Sequence, residues 1–327
     1  MQILNILVGW VLPLSMLTFG ITGNLIGLTV FSRKGLTKFP AKNIYRVLAI
    51  MDSFYLLVIW NFKTRKNYFL LFIFIFKYII IQYLLFYNGL SVRLLSNISC
   101  KIVRYLNYSL APISAWLLVY LSIQKFISIK VTIGESKENF QKLIIFLILL
   151  YNLVYYSPIL LLVHLVNQPG NNALDLNSTF LNDTNQTAST KYECNFSILH
   201  QENTYSWMDL LNLTILPFSL MISFSLILLH TIFQSRSRIL RINTVQDRNR
   251  LKKNIKFGIS SILINLFFVI LHLPICIANF FFEFFHNYYD LILSIYYSSY
   301  CINFYILFIF NSIFRKEVLL LFKTGKK

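Results

Sequence analysis

Several uninterrupted apolar stretches of about 20 residues or more run through this chain, the length an α-helix needs to cross a hydrocarbon core of about 30 Å. Seven are read, near 6–31, 44–62, 100–126, 142–166, 208–234, 256–282 and 288–312. Lipid offers no partner to an unpaired backbone N–H or C=O, so each stretch is expected as a helix. Charged residues make up only 13% of the chain, about half the share of a soluble globular protein, which removes that class. The first stretch is longer than the apolar part of a secretory leader and has no small-residue cleavage site, so it is expected as a retained span.

Cation placement sets the expected orientation. Loop 33–46 holds Arg33, Lys34, Lys38, Lys42 and Arg46, and segment 125–142 holds Lys125, Lys130, Lys137 and Lys142. Segment 236–256 adds Arg236, Arg238, Arg241, Arg248, Arg250, Lys252, Lys253 and Lys256, and the tail adds Arg315, Lys316, Lys323, Lys326 and Lys327. With seven spans and the N-terminus outside, all of these fall on the inner side. A charge of +18 in short loops beside apolar helices is thus a topology signal rather than a nucleic-acid surface. The loop 167–207 has the opposite character, with Asp175, Asp183, Glu193 and Glu202 against Lys191 alone. Its four Asn-x-Ser/Thr sequons, at Asn177, Asn182, Asn185 and Asn195, mark an expected glycosylated outer loop. The sequons at Asn107 and Asn212 fall in or against apolar spans and are discounted.

Residues 63–87 form an eighth apolar stretch, composed almost wholly of Lys, Asn, Tyr, Phe, Leu and Ile. A span there would invert everything downstream and contradict the cation placement. It is read either as translated non-coding sequence or as a membrane-hugging continuation of span two.

Asp52 stands mid-span in an apolar helix, where an ionisable group is costly and marks a functional position. Span one carries Gly23-Asn24, span three Ser114, and span seven Ser299 and Asn303. Span three ends in Gln124-Lys125-Phe126, and spans four, five and six contain Pro158, Pro217 and Pro274, each removing one backbone hydrogen bond and permitting a kink. Of four cysteines, Cys276 and Cys301 lie in apolar spans as small buried residues. Cys100 and Cys194 lie on the outer side, where disulfides persist. From Ser312 to Phe322, Ile313, Phe314, Val318, Leu321 and Phe322 sit among Arg315, Lys316 and Lys323, the pattern of an amphipathic helix on the inner leaflet.

At these spacings the chain resembles the rhodopsin-like G-protein-coupled receptors, over nearly its whole length except 63–87. The resemblance implies an all-α membrane protein, a seven-transmembrane helix bundle with a short amphipathic C-terminal helix. It implies a disulfide from Cys100 to Cys194 that holds the outer loop as a lid. It also implies a polar core of Asn24, Asp52, Ser114, Ser299 and Asn303, which in many members holds a sodium ion. Gln124, Lys125 and Phe126 stand where the family has Asp/Glu-Arg-Tyr at its coupling surface, so the ion pair restraining the resting state is absent. Phe268, His272 and Pro274 match the Phe-x-x-x-Trp-x-Pro switch with His for Trp. Phe304 and Leu307 replace the Pro and Tyr of Asn-Pro-x-x-Tyr. The alternative for Lys125 is a simple inner-side cation, and His272 reads as a pocket floor or as a buried packing residue.

The family's amine receptors carry an Asp seven residues after the span-three Cys; here Asn107 stands there, followed by Tyr108. An amine ligand is therefore not expected, and the acidic loop suits a basic peptide. The strings Ser-Ile-Gln-Lys-Phe and Asn-Ser-Ile-Phe-Arg-Lys are similar to invertebrate neuropeptide receptors. The expectation is a plasma-membrane receptor, N-terminus extracellular, that transmits binding of an extracellular peptide to a heterotrimeric G protein. No enzyme is expected: the five histidines, His164, His200, His230, His272 and His286, make no metal spacing, and no Gly-rich phosphate loop is present. A transporter or channel is the rival class, opposed by few intramembrane charges and no repeat between halves. A non-coupling seven-helix relative is the other.

Overall fold

The structure is a computed structural model that describes residues 12–33, 41–63, 96–130, 138–168, 191–196, 199–239, 245–280, 282–285 and 288–324. The stretch 64–87 and the sequons at Asn177, Asn182 and Asn185 lie outside the described residues. Its elements are α1 (Leu12–Ser32), α2 (Lys42–Lys63), α3 (Asn97–Lys130), α4 (Glu138–Tyr155), α5 (Ile159–Leu162), β1 (Val163–Gln168) and β2 (Lys191–Phe196). There follow α6 (Leu199–Asp209), a π turn (Leu210–Ile215), α7 (Leu216–Ile239), α8 (Val245–Phe280), α9 (Phe282–Phe285), α10 (Tyr289–Phe310) and α11 (Ser312–Thr324).

Among the described residues, six helical stretches are long and apolar enough to cross a membrane: those of α1, α3, α4 with α5, α6 with α7, α8 and α10. The chain is a multi-pass, helical membrane protein. The 22 residues of α2 reach about 33 Å at 1.5 Å per residue, but Lys42, Arg46, Asp52 and Lys63 dilute its apolar character.

The distribution of polarity is that of a bundle in lipid. On α4, Phe140, Leu143, Phe146, Leu147, Leu150 and Val154 are exposed, whereas Gln141, Ile145 and Asn152 are buried. In water such an apolar outer face would be a large unfavourable patch; against acyl chains it is neutral. The central element is α3, in whose apolar 18-residue segment 78% of the residues are buried, against 22% in that of the α4 stretch. Around it pack α2, α4, α7 and α8, while α1 lies against α2 and α10.

Lipid removes the hydrophobic drive for helices to associate, so close backbone approach and buried hydrogen bonds must hold them. A Cβ on Gly20 would come within 2.6 Å of both Cys301 Sγ and Leu56 Cδ1, so α1 can sit this close to α2 and α10 only with glycine there. On Gly258 it would meet Ile129 of α3 at 3.0 Å and Ile232 of α7 at 3.2 Å.

Several boundaries differ from those expected. The fourth span ends at Leu162 instead of running to 166, and its first helix, α4, ends at Tyr155. Pro158, expected inside a helix, stands in the turn after it and at the start of the short α5. From Val163 the chain is a strand, paired antiparallel with β2 in the register Leu165↔Cys194, so the architecture is helical with one hairpin. The fifth span begins at Leu199 within the expected loop, and the sixth at Val245, eleven residues early. Pro217 stands two residues past the π turn, Pro274 lies within α8, and Pro112 lies within α3.

Cys100 and Cys194 form a disulfide, Cα–Cα 5.8 Å, fastening the hairpin to the start of α3. At the opposite, tail end, Asn311 caps α11. Its Oδ1 accepts from the backbone N–H of Ile313 and Phe314, both at 3.1 Å, which supplies two of the unpaired donors of a helix start. Phe314, fully buried, meets Phe31 at 5.2 Å and Phe304 at 5.8 Å between ring centroids. Leu319, Leu320 and Phe322 of α11 face outward. A Gly20→Leu substitution is expected to force α1 from α10 and to cost about 1–3 kcal/mol, read as a lower unfolding midpoint in detergent beside a Thr29→Leu control on the exposed face of α1.

Candidate functional site

Asp52 is fully buried in α2. Ser114 Oγ of α3 donates to its Oδ1 at 2.5 Å, and Asn303 Nδ2 of α10 donates to its Oδ2 at 2.8 Å. One carboxylate thus joins three helices. Asn24 joins the same level from α1, donating to the backbone carbonyl of Tyr300 at 3.2 Å. Ser299 is buried, but its hydroxyl donates to the Tyr296 carbonyl on its own helix, so it is not bonded to Asp52. The buried Asn303 Oδ1 has no hydrogen-bond partner among the described residues. Oxygens of Asp52, Ser114, Ser299 and Asn303 therefore supply hard donors that fit a sodium ion.

One layer toward the hairpin lies an aromatic cluster. The His272 ring is 3.8 Å from Phe268, 4.7 Å from Tyr296, 5.7 Å from Phe218 and 5.8 Å from Tyr300, centroid to centroid. His272 Nδ1 is 2.8 Å from the Phe268 carbonyl. A carbonyl only accepts, so Nδ1 carries the proton and Nε2 is an acceptor. Two residues on, Pro274 has no N–H to return to the preceding turn. Tyr296 links onward to Tyr55 at 3.2 Å and Tyr300 at 2.9 Å through its hydroxyl. The histidine is a buried member of this cluster, hydrogen-bonded within its own helix.

At the tail end, Gln124 and Lys125 are buried and Phe126 is half-buried. The Lys125 ammonium lies 5.3 Å from the ring centroid of Phe257 on α8 and 5.8 Å from that of Tyr45 on α2. Ring faces attract a cation, and more strongly where water is excluded. Tyr45 in turn stacks on Phe31 at 4.7 Å. Lys125 is therefore not a solvated inner-side cation. Among its contacts are aromatic rings on two neighbouring helices.

Between these levels Asn265 of α8 donates to Ser122 of α3 at 2.6 Å and to Ser225 of α7 at 2.9 Å. A second network lies where α3, α4 and the π turn meet. Asn212 accepts from Trp116 at 3.0 Å and Tyr151 at 3.2 Å, and donates to Asn152 at 3.1 Å and Tyr156 at 3.3 Å. Tyr156 donates to Asp209 at 2.8 Å. Neither network was singled out from sequence; polar residues recurring on the buried faces of spans four and five were the available signal.

Of the expected pocket residues, Asn107 is half-buried, and Tyr108 lies beneath the hairpin, 6.1 Å from Tyr156 and 6.5 Å from Phe196. Arg104 stands over the Tyr108 and Phe196 rings at 5.7 and 5.9 Å. Asn195 lies in β2, paired with His164. No protein-family model matches the chain, and no curated protein matches it at a significant level.

Replacing Asn303 by Leu is expected to leave a buried carboxylate oxygen without its donor, costing about 1–3 kcal/mol. Adding Asp52→Leu should recover most of that loss, because the charge and its unmet oxygen go together. Thermal unfolding of the two variants in detergent checks both steps.

Proposed function

We propose that this chain is a seven-span receptor of the rhodopsin-like kind, with α2 as the additional span and the N-terminus outside the plasma membrane. It would bind an extracellular ligand, a peptide by the acidic character of loop 167–207, and pass the signal to a heterotrimeric G protein. The observation that carries this reading is the set of contacts along α8. That one helix contributes Phe268 and His272 to the aromatic cluster, Asn265 to the tie with α3 and α7, and Phe257 to the cage around Lys125. An outward tilt of α8 changes all three levels together, so an event beneath the hairpin alters what the tail end presents. Ligand binding that favours the tilted state would shift the population by its differential affinity. In that state Lys125, freed from Phe257, would join the basic inner segments 234–256 as a contact for the G protein.

Asp52 anchors the fixed side of this movement through α2, α3 and α10. A sodium ion held by Asp52, Ser114, Ser299 and Asn303 would balance the buried negative charge. The protein's own groups do the rest: Asn24 and Asn303 hold α1 and α10 to the core, and Pro274 provides the flexible point in α8.

The test is basal and peptide-stimulated G-protein signalling in cells with surface expression measured in parallel. Phe257→Ala is expected to raise basal signalling severalfold by opening the cage. Lys125→Ala should lower stimulated signalling by tenfold or more. Silence of the wild type with every G-protein class and a broad peptide panel, despite surface expression, would contradict coupling and favour a non-coupling relative.

A further inference from the structure

Asp209 closes α6 where the helix passes into the π turn. Sequence reading began the fifth span at 208 and so left this acid at its edge. In the structure the helix starts at Leu199, which puts Asp209 well inside the helical run. Trp207 and Leu211 are turned outward, while Tyr205, Asn212 and Leu213 are buried. Asp209 is half-buried between them. It takes its hydrogen bond from Tyr156 on the α4 side.

No cation pairs with this carboxylate among the described residues. The ion pairs Arg33–Glu317, Lys42–Glu138 and Lys142–Glu138 all lie at the tail end. On the hairpin end of α3, Arg104 rests on the Tyr108 and Phe196 rings. An unpaired acid inside a membrane bundle is costly and marks a place where a charge partner arrives or passes. Its surroundings suit a cation for a second reason. Tyr108, Tyr155, Tyr156, Phe196 and Tyr205 form one cluster under the disulfide-fastened hairpin, and ring faces attract positive charge. The position is also built: Asn212 fixes Tyr156 from one side and Trp116 and Tyr151 from the other, so the donor that aims Asp209 is itself held.

We propose that Asp209 is the ion-pair partner of a protonated amine or guanidinium on the extracellular ligand. This rests on the receptor reading and names the chemistry of its binding site. The acid that Asn107 lacks on α3 is thus supplied from α6, one helix across the bundle. The cation comes either from a small amine or guanidine or from a Lys or Arg side chain of a peptide.

The test uses the full-length chain purified into nanodiscs, with thermal unfolding as readout and no G protein present, so it is independent of coupling. One arm applies n-butylammonium and n-butylguanidinium. The other applies amidated tetrapeptides containing one Lys or Arg, each beside its Ala counterpart. A basic probe should raise the wild-type midpoint, and Asp209→Asn should weaken its apparent affinity by about 30-fold or more. Tyr156→Phe, which keeps the carboxylate, should weaken it less than tenfold. Asp209→Ser serves as a second neutral variant if the Asn form fails to fold. Stabilisation by the simple cations assigns a small-molecule ligand; stabilisation only by the basic tetrapeptides assigns a peptide. Equal affinity in the neutral variants, or no stabilisation of the wild type by any cation in either arm, overturns the proposal.

Discussion

Asp52 is fully buried among apolar helices, and each of its oxygens is held by a neutral donor from a different helix, Ser114 of α3 and Asn303 of α10. A charge in that position restricts everything near it. It requires donors on two neighbours at hydrogen-bond distance, which sets the rotation of α3 and α10 about their axes. Lipid supplies no drive for the helices to associate, so this junction and the glycine contacts of α1 do what an apolar core does in a soluble protein. Asn24 extends the junction to α1 through the Tyr300 carbonyl.

With α1, α2, α3 and α10 fixed there, α8 is joined differently. It meets α3 through Asn265 and Ser122 and through Phe257 over Lys125, and it meets α10 through the rings of His272 and Tyr300. These are neutral hydrogen bonds and ring contacts, none of them to a carboxylate. One firmly tied side and one helix joined by such contacts is the arrangement on which the proposed receptor function rests. The hairpin and its disulfide close one end, and α11, capped by Asn311 and seated on Phe314, closes the other.

Much of this was legible in the sequence because the membrane makes helix length and charge placement strong signals. Asp52, Ser114 and Asn303 stood out as polar groups in apolar spans, and the structure brings them together. Ser299 stood out for the same reason and does not reach Asp52, because a serine in a helix readily turns its hydroxyl to its own backbone. The end of span four was misplaced because Ile159 to Val166 is as apolar as the helix before it. Hydropathy cannot separate a helix from a strand there, and the hairpin depends on pairing with residues 191–196. Asp209 falls at the edge of span five as hydropathy draws it, and the burial of Lys125 is hidden in the sequence because its ring partners Tyr45 and Phe257 come from two distant segments.

The account depends most on α2 being a full span, held among its neighbours by Asp52, because only then do the two ends of the chain lie on opposite sides of the membrane. Epitope tags placed before Met1 and after Lys327 measure this directly, with antibody labelling of intact and permeabilised cells. The account predicts that the N-terminal tag is labelled on intact cells and the C-terminal tag only after permeabilisation. Labelling of both tags from the same side would mean an even number of spans, and the receptor topology would be wrong.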